Sequence, residues 1–244
     1  MKKSFLLLSI AAGISVFLTG CASTNFSISE SGPFAIMSVS SNISVPYYSD
    51  ETRDDEYGTE EGLLGNALTK FLEKNNPEIL TALDRVDLCD SEIKRLMEEN
   101  AGVSFIDKET VLDCEHYRKL MEGLTGYTDV YLRADGYKSI DSVGSKNARL
   151  IMSETGAKNL IFAHFVFKKK IVKGSKLSGD ICAYASANFS VYDEKGKMIL
   201  SDDFEVTSLE TVHISMLDYD KDALVEMFPD LIDQLINQFI VKYF

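Results

Sequence analysis

Residues 159–206 open with Asn159-Leu160-Ile161-Phe162-Ala163-His164-Phe165-Val166-Phe167-Lys168-Lys169-Lys170-Ile171-Val172 and turn at Lys173-Gly174-Ser175-Lys176. They return from Ile181 to Tyr192, turn again at Asp193-Glu194-Lys195-Gly196 and finish from Met198 to Val206. The first run is apolar on both faces of an extended chain, which places it at the centre of a sheet. In the return run Ile181, Ala183, Ala185, Ala187, Phe189 and Val191 take alternate positions, the period-two signature of one buried strand face. Two short polar turns, each with a glycine, make the whole segment an antiparallel meander. A row of alanines lets a helix approach the sheet closely. The helix predicted from about Asp222 to Val241, with Leu224, Met227, Phe228, Leu231, Ile232, Leu235, Ile236, Phe239 and Ile240 apolar and a bend at Pro229, fits as its lid.

Working back from the meander, Ser145–Thr155 reads as a helix ended by Gly156, and residues 123–144 as a long irregular stretch. Val103-Ser104-Phe105-Ile106 reads as a short strand, followed by a helix that Asp107 can cap and that carries Val111, Leu112, Tyr117, Leu120 and Met121. Further upstream come a helix through Leu63, Leu64, Ala67, Leu68, Phe71 and Leu72, a second restarted by Pro77, and a third over Ser91–Asn100 stopped by Gly102. A first strand begins at Phe34 and reaches towards Val45. The predicted class is α/β (α+β), a mixed sheet with an antiparallel carboxy-terminal meander and helices packed on it, in a single domain over residues 33–244. A chain of 244 residues with 45% hydrophobic and 26% charged side chains, 4 Pro and 15 Gly can build such a core and is not low-complexity or collagenous.

The amino terminus carries the clearest functional signal. Met1-Lys2-Lys3, an apolar run from Phe5 to Leu18 and a small-residue end have the layout of a secretory signal peptide over residues 1–20. Leu18-Thr19-Gly20-Cys21 at its end resembles a bacterial lipobox, in which cleavage precedes the cysteine and its thiol takes a diacylglycerol. Cys21 is therefore the expected lipidation site, and residues 21–32 a lipidated, polar tether. Several acyl chains exceed the single-chain threshold for stable membrane attachment. Ala22 stands where inner-membrane lipoproteins of enteric bacteria carry Asp, so the resemblance points to the outer membrane, facing the periplasm. The net charge is −13, and cleavage takes it to −15 by removing Lys2 and Lys3 and no acid. Such a surface is repelled by anionic headgroups and offers nothing general to nucleic-acid phosphates.

Three cysteines remain after lipidation, Cys89, Cys114 and Cys182, which read first as small buried hydrophobes, with one intramolecular bridge at most as the alternative. The three histidines, His116, His164 and His213, show no HExxH spacing and no clustering with cysteine, so no metal site or cofactor is expected. GxSxG, P-loop and GxGxxG patterns are absent, and no enzymatic activity is expected. Asp50 to Glu61 holds seven carboxylates in twelve residues and superficially follows a calcium loop, but Asp55 occupies the sixth position, where glycine is needed. It reads as a solvated acidic loop, with calcium binding the alternative. Against this acidic background, Lys168, Lys169, Lys170, Lys173 and Lys176 gather at one hairpin. They are candidate partner-binding residues, as are Tyr131, Arg133, Tyr137 and Lys138 in the irregular Tyr127–Lys138 stretch. A lysine-protected hairpin and a packed loop are the plain structural readings of the same residues.

Val103-Ser104-Phe105-Ile106-Asp107-Lys108 before a helix, Glu154-Thr155-Gly156-Ala157-Lys158-Asn159-Leu160-Ile161 entering the central strand, and Ser190-Val191-Tyr192-Asp193-Glu194-Lys195-Gly196-Lys197-Met198-Ile199-Leu200 closing a hairpin form a recurring arrangement. The chain thereby resembles the α/β domain shared by the amino-terminal domain of the Tol-system translocation protein, the curli-secretion lipoproteins and the lipoprotein activators of penicillin-binding proteins. That resemblance implies a non-enzymatic adaptor that binds another envelope protein in assembly or secretion. A ligand- or calcium-binding periplasmic module and a subunit of a homo-oligomeric secretion assembly are the alternatives. The chain departs from those families in lacking a long Pro-rich linker and a clear pair of lipid-facing hairpins.

Overall fold

The computed structural model describes residues 28, 32–48, 76–122, 131–216 and 218–244. The predicted signal peptide, Cys21, the acidic stretch 50–61, the predicted helix through Leu63–Leu72 and Tyr127 lie outside the described residues. Six strands, β1 (Phe34–Asn42), β2 (Tyr131–Arg133), β3 (Asn159–Gly174), β4 (Ser178–Tyr192), β5 (Met198–Thr207) and β6 (Val212–Ser215), form one mixed sheet in the order β2-β1-β3-β4-β5, with β6 also on β4. The β1–β3 pairing is parallel and the other pairings antiparallel. The run apolar on both faces is β3, and it does sit at the centre. Strand β6 takes over the edge that β5 leaves, Val212 facing Ile181 where Thr207 last faced Tyr184, with Ser208 N–H donating to Ala183 O at 2.8 Å between them.

Helices α1 (Pro77–Leu80), α2 (Ala82–Ala101), α3 (Lys108–Asp113), α4 (Glu115–Arg118), α5 (Ser145–Thr155), α6 (Lys221–Val225) and α7 (Phe228–Tyr243) pack around it. Ala183, Ala185 and Ala187 are buried on the β4 face that α7 covers, as their alternation predicts. Their small side chains let the Phe239 ring stack on Phe189 at 4.5 Å, while Phe228 meets Phe167 edge-on at 5.0 Å. Helix α2 runs alongside α7, with the buried Arg85 guanidinium 4.9 Å from the Phe167 ring and 5.3 Å from Phe228. Helix α5 ends as expected at Gly156, whose φ of 80° is a left-handed conformation open to glycine without a Cβ penalty.

Several elements depart from the sequence reading. Residues 82–101 form one continuous helix, because Val86, Cys89, Ile93, Leu96 and Met97 make an unbroken buried face that the acidic outer residues mask. Val103–Ile106 makes only a parallel bridge, Phe105 to Phe34, and the helix after Asp107 is cut by extended Cys114 (φ −55°, ψ 125°). Pro229 begins α7 rather than bending a longer helix, since proline in the first turn sacrifices no intrahelical hydrogen bond. The stretch read as irregular holds β2, paired with β1 from Ser40–Arg133 to Asn42–Tyr131. Ile28, assigned to the tether, is 2% exposed and its N–H donates to Tyr243 O at 3.0 Å, so the packed domain starts before residue 33. Cys89, Cys114 and Cys182 are free thiols and buried.

Candidate functional site

Strand register builds a polar row across the sheet. Arg133 on β2 faces Ser40 on β1, Ser40 faces His164 on β3, His164 faces Asn188 on β4, and Asn188 faces Asp203 on β5. Because side chains alternate along a strand, this row lies on the face opposite Ala163, Phe189 and the helix α7 that covers them. The flanking row, Ser38, Phe162, Ser190 and Ser201, is polar except for Phe162. Ser40 Oγ and His164 Nδ1 are 2.9 Å apart, Asn188 Nδ2 donates to Asp203 Oδ1 at 2.9 Å, and the Ser190 hydroxyl donates to Ser201 Oγ at 3.1 Å.

Tyr131 and Asp141 close the β2 side of a cavity of about 330 Å³ over these rows, with Arg133, Ser139 and Ile140 in its wall. The Tyr131 ring stands edge-on to His164 at a centroid distance of 5.0 Å, and the Arg133 guanidinium donates to Ser139 Oγ. Burial pulls the His164 imidazole below its ordinary 6.5, with the Asp141 carboxylate opposing. The cavity therefore offers a neutral imidazole, hydroxyls, an amide and a guanidinium, a set suited to hydrogen-bonding a small polar ligand. Of the residues singled out in the sequence, Tyr131 and Arg133 are brought together here. His164, read as a core or cross-strand residue, belongs with them, and only the strand register reveals that.

Tyr137 and Lys138 point elsewhere. Tyr137 is buried, its hydroxyl donating to Asp90 Oδ1 at 3.2 Å and its ring lying 4.3 Å from Lys108 Nζ. Burial and Asp90 push its phenol well above the ordinary range. Lys138 spends its ammonium on Arg118 O at 2.5 Å and Leu120 O at 2.8 Å, fastening the loop to the end of α4. Both act as packing residues, as the plain reading of that loop expects.

The lysine cluster separates by register as well. Lys169 lies on the core face and is 8% exposed, so it is corrected from a surface candidate to an internal one. Its Nζ donates to Glu78 Oε1 and Oε2 at 3.0 and 3.1 Å and to Tyr219 Oη at 2.6 Å. Burial lowers the Lys169 ammonium and Glu78 raises it, while burial and Glu78 drive the Tyr219 phenol far up. Lys168 and Lys170, on the opposite face and half-buried, lie over the Tyr48 ring at 5.8 and 4.9 Å. Lys173 and Lys176 are exposed at the turn, Lys176 Nζ standing 4.9 Å from the Tyr47 ring. Beside them Val172, Leu177 and Met216 are 58%, 63% and 89% exposed, Met216 following the Ser178–Ser215 pair that ends the sheet. The tip is thus an exposed apolar patch set with two ammonium groups.

One constellation was missed. The reading of no histidine–cysteine cluster is corrected by Cys114, His116 and Glu154, whose donor atoms lie within 4.8 Å of one another. The Cys-x-His spacing was visible, but Glu154 joins it only because α5 packs on α4.

No protein-family model and no curated protein sequence matches this chain. Among solved structures it is similar to the C-terminal domain of LpoB from Salmonella enterica in its selenomethionine form, with 9% identity and a TM-score of 0.32 over 73% of this chain and 84% of that one. Among the described residues no helix is long and apolar enough to cross a membrane.

Proposed function

We propose that the chain is a non-enzymatic outer-membrane lipoprotein, anchored through Cys21, that binds an acidic envelope protein through the β3–β4 hairpin tip. The observation that carries this reading is the opposition of the two ends of the sheet. Ile28, the described residue nearest the anchor, is tied to Tyr243, and neighbouring Phe244 packs on Phe34, which pairs with Asn159 at the start of β3. The tip lies at the other end of the 16-residue strand, roughly 50 Å away at about 3.3 Å per residue. From Cys21 to Ile28 the chain spans at most about 25 Å. The anchored end is held near its membrane and the basic, apolar tip is directed away from it, where charge complementarity selects an acidic surface.

Photo-crosslinking in cells from introduced positions at Val172 and Leu177 tests this, with a Lys173→Ser/Lys176→Ser variant alongside. One dominant envelope protein, lost in the variant, is the expected result. Crosslinks to the chain itself alone, or none, overturn it. Palmitate labelling lost in Cys21→Ser tests the anchor separately.

The cavity at His164 favours a second reading, a periplasmic module for a small polar ligand. Unchanged partner capture in a variant filled by Ser40→Phe supports the adaptor, and lost capture with an intact fold supports the module.

A further inference from the structure

We infer that Cys114, His116 and Glu154 form a binding site for a divalent transition-metal ion of zinc's class. Three donor atoms of different chemistry, a thiol sulfur, an imidazole nitrogen and a carboxylate oxygen, converge from two segments 38 to 40 residues apart. Cys114 Sγ donates to Glu154 Oε2 at 3.1 Å, and His116 Nδ1 stands 2.7 Å from the same oxygen. Metal bonds of about 2.0–2.3 Å in tetrahedral geometry need donor separations of about 3.3–3.7 Å. The two pairs that share Glu154 Oε2 have to open by roughly half an ångström for an ion to replace the protons that now bridge them, and all three donor atoms already lie within 4.8 Å of one another.

The set is also suited in charge and support. A thiolate and a carboxylate neutralise a divalent ion. On binding, the Cys114 thiol proton leaves to solvent and the imidazole proton moves to Nε2, freeing Nδ1 as ligand. Glu154 Oε1 accepts from Glu115 N–H at 2.6 Å, an outer contact that fixes the carboxylate's aim. Cys114 is buried, whereas the His116 and Glu154 side chains are 37% and 36% exposed, so an ion has an entry path and its fourth position faces water. That is a three-ligand, open-position site rather than a closed structural one. Sulfur among the donors excludes calcium and magnesium, which take oxygen.

The test is a titration of the full, reduced chain in detergent with Co2+, followed by competition with Zn2+. Binding of a single equivalent with a sulfur-to-cobalt charge-transfer band, displaced by Zn2+, is expected. Cys114→Ser removes the band, and His116→Gln and Glu154→Gln each weaken binding by about tenfold or more. Cys114 is the cysteine that stands with His116 and Glu154, so Cys89→Ser and Cys182→Ser variants keep the band. No charge-transfer band in the folded chain, or one that survives Cys114→Ser, overturns the site. Because His116 and Glu154 are partly exposed, their variants keep the fold and the readout interpretable if Cys114→Ser does not.

Discussion

His164 and Lys169, five positions apart on one strand, show how register decides what a polar side chain does. His164 sits in the cavity wall with Ser40, Tyr131, Arg133 and Asp141 around it, neutral because burial disfavours its charged form. Its folded-state pKa is below the unfolded value of 6.5, so the unfolded chain takes up the proton first. The stability it contributes is present above pH 6.5 and lost as the pH falls through the lowered value. Urea midpoints measured between pH 8 and pH 5 should therefore decline, and His164→Gln should flatten that decline. Lys169 meets its carboxylate inside the core, with Tyr219 as third member. Glu78→Ala strands a buried ammonium and should cost about 3–5 kcal/mol by denaturant unfolding. Glu78→Leu combined with Lys169→Met should cost clearly less than Glu78→Ala, because the desolvation of both charges disappears with them.

Between strand and helix, packing depends on what is missing from side chains. The buried Ala185 faces Phe167 on β3 and Val206 on β5, within the sheet face that α7 covers. Ala185→Leu adds bulk where no space exists and should lose about 1–3 kcal/mol, seen as a lower urea midpoint with an unchanged slope. The β3–β4 turn rests on Gly174, at φ 82°, where an added Cβ would lie 2.4 Å from Ser178 O. Gly174→Ala should cost about 1 kcal/mol or more and displace the tip it supports, lowering partner capture together with stability. Lys173 and Lys176 are exposed, and an exposed ring contact such as Lys176 makes with Tyr47 is worth about 0.5–1 kcal/mol, so Lys173→Glu/Lys176→Glu should stay within about 1 kcal/mol of the parent in stability.

Over the whole molecule, the tip and the end that holds Ile28 lie at opposite ends of one sheet, and the chain as a whole is acidic, with a net charge of −13. A basic tip on an acidic chain gives association a preferred approach, and that field is screened within about 10 Å at 0.1 M salt. The association rate of the captured partner should fall as salt rises, and the charge-reversed tip should abolish most of that dependence. A surface plasmon resonance series over ionic strength measures both, and an unchanged salt slope in the reversed variant would contradict a role for the two lysines.

Local pattern was sufficient for much of this molecule. The double-sided apolar run made β3 central, alternation put Ala183, Ala185 and Ala187 inside, and Gly156 ended α5, because each depends on neighbours a few residues away. The lysine cluster was legible as a patch, and Tyr131 and Arg133 as candidate binding residues. Sequence could not say that Lys169 turns inward to Glu78, 91 residues away, since a run of lysines has the same composition whichever face each occupies. Nor could it set Arg133, Ser40, His164, Asn188 and Asp203 in one row, or bring Glu154 to Cys114 and His116. Pairing register and helix docking make those contacts between residues far apart in the chain. Propensity and periodicity act over a few residues, whereas a site built across five strands or two helices exists only once loop closure has brought its parts together.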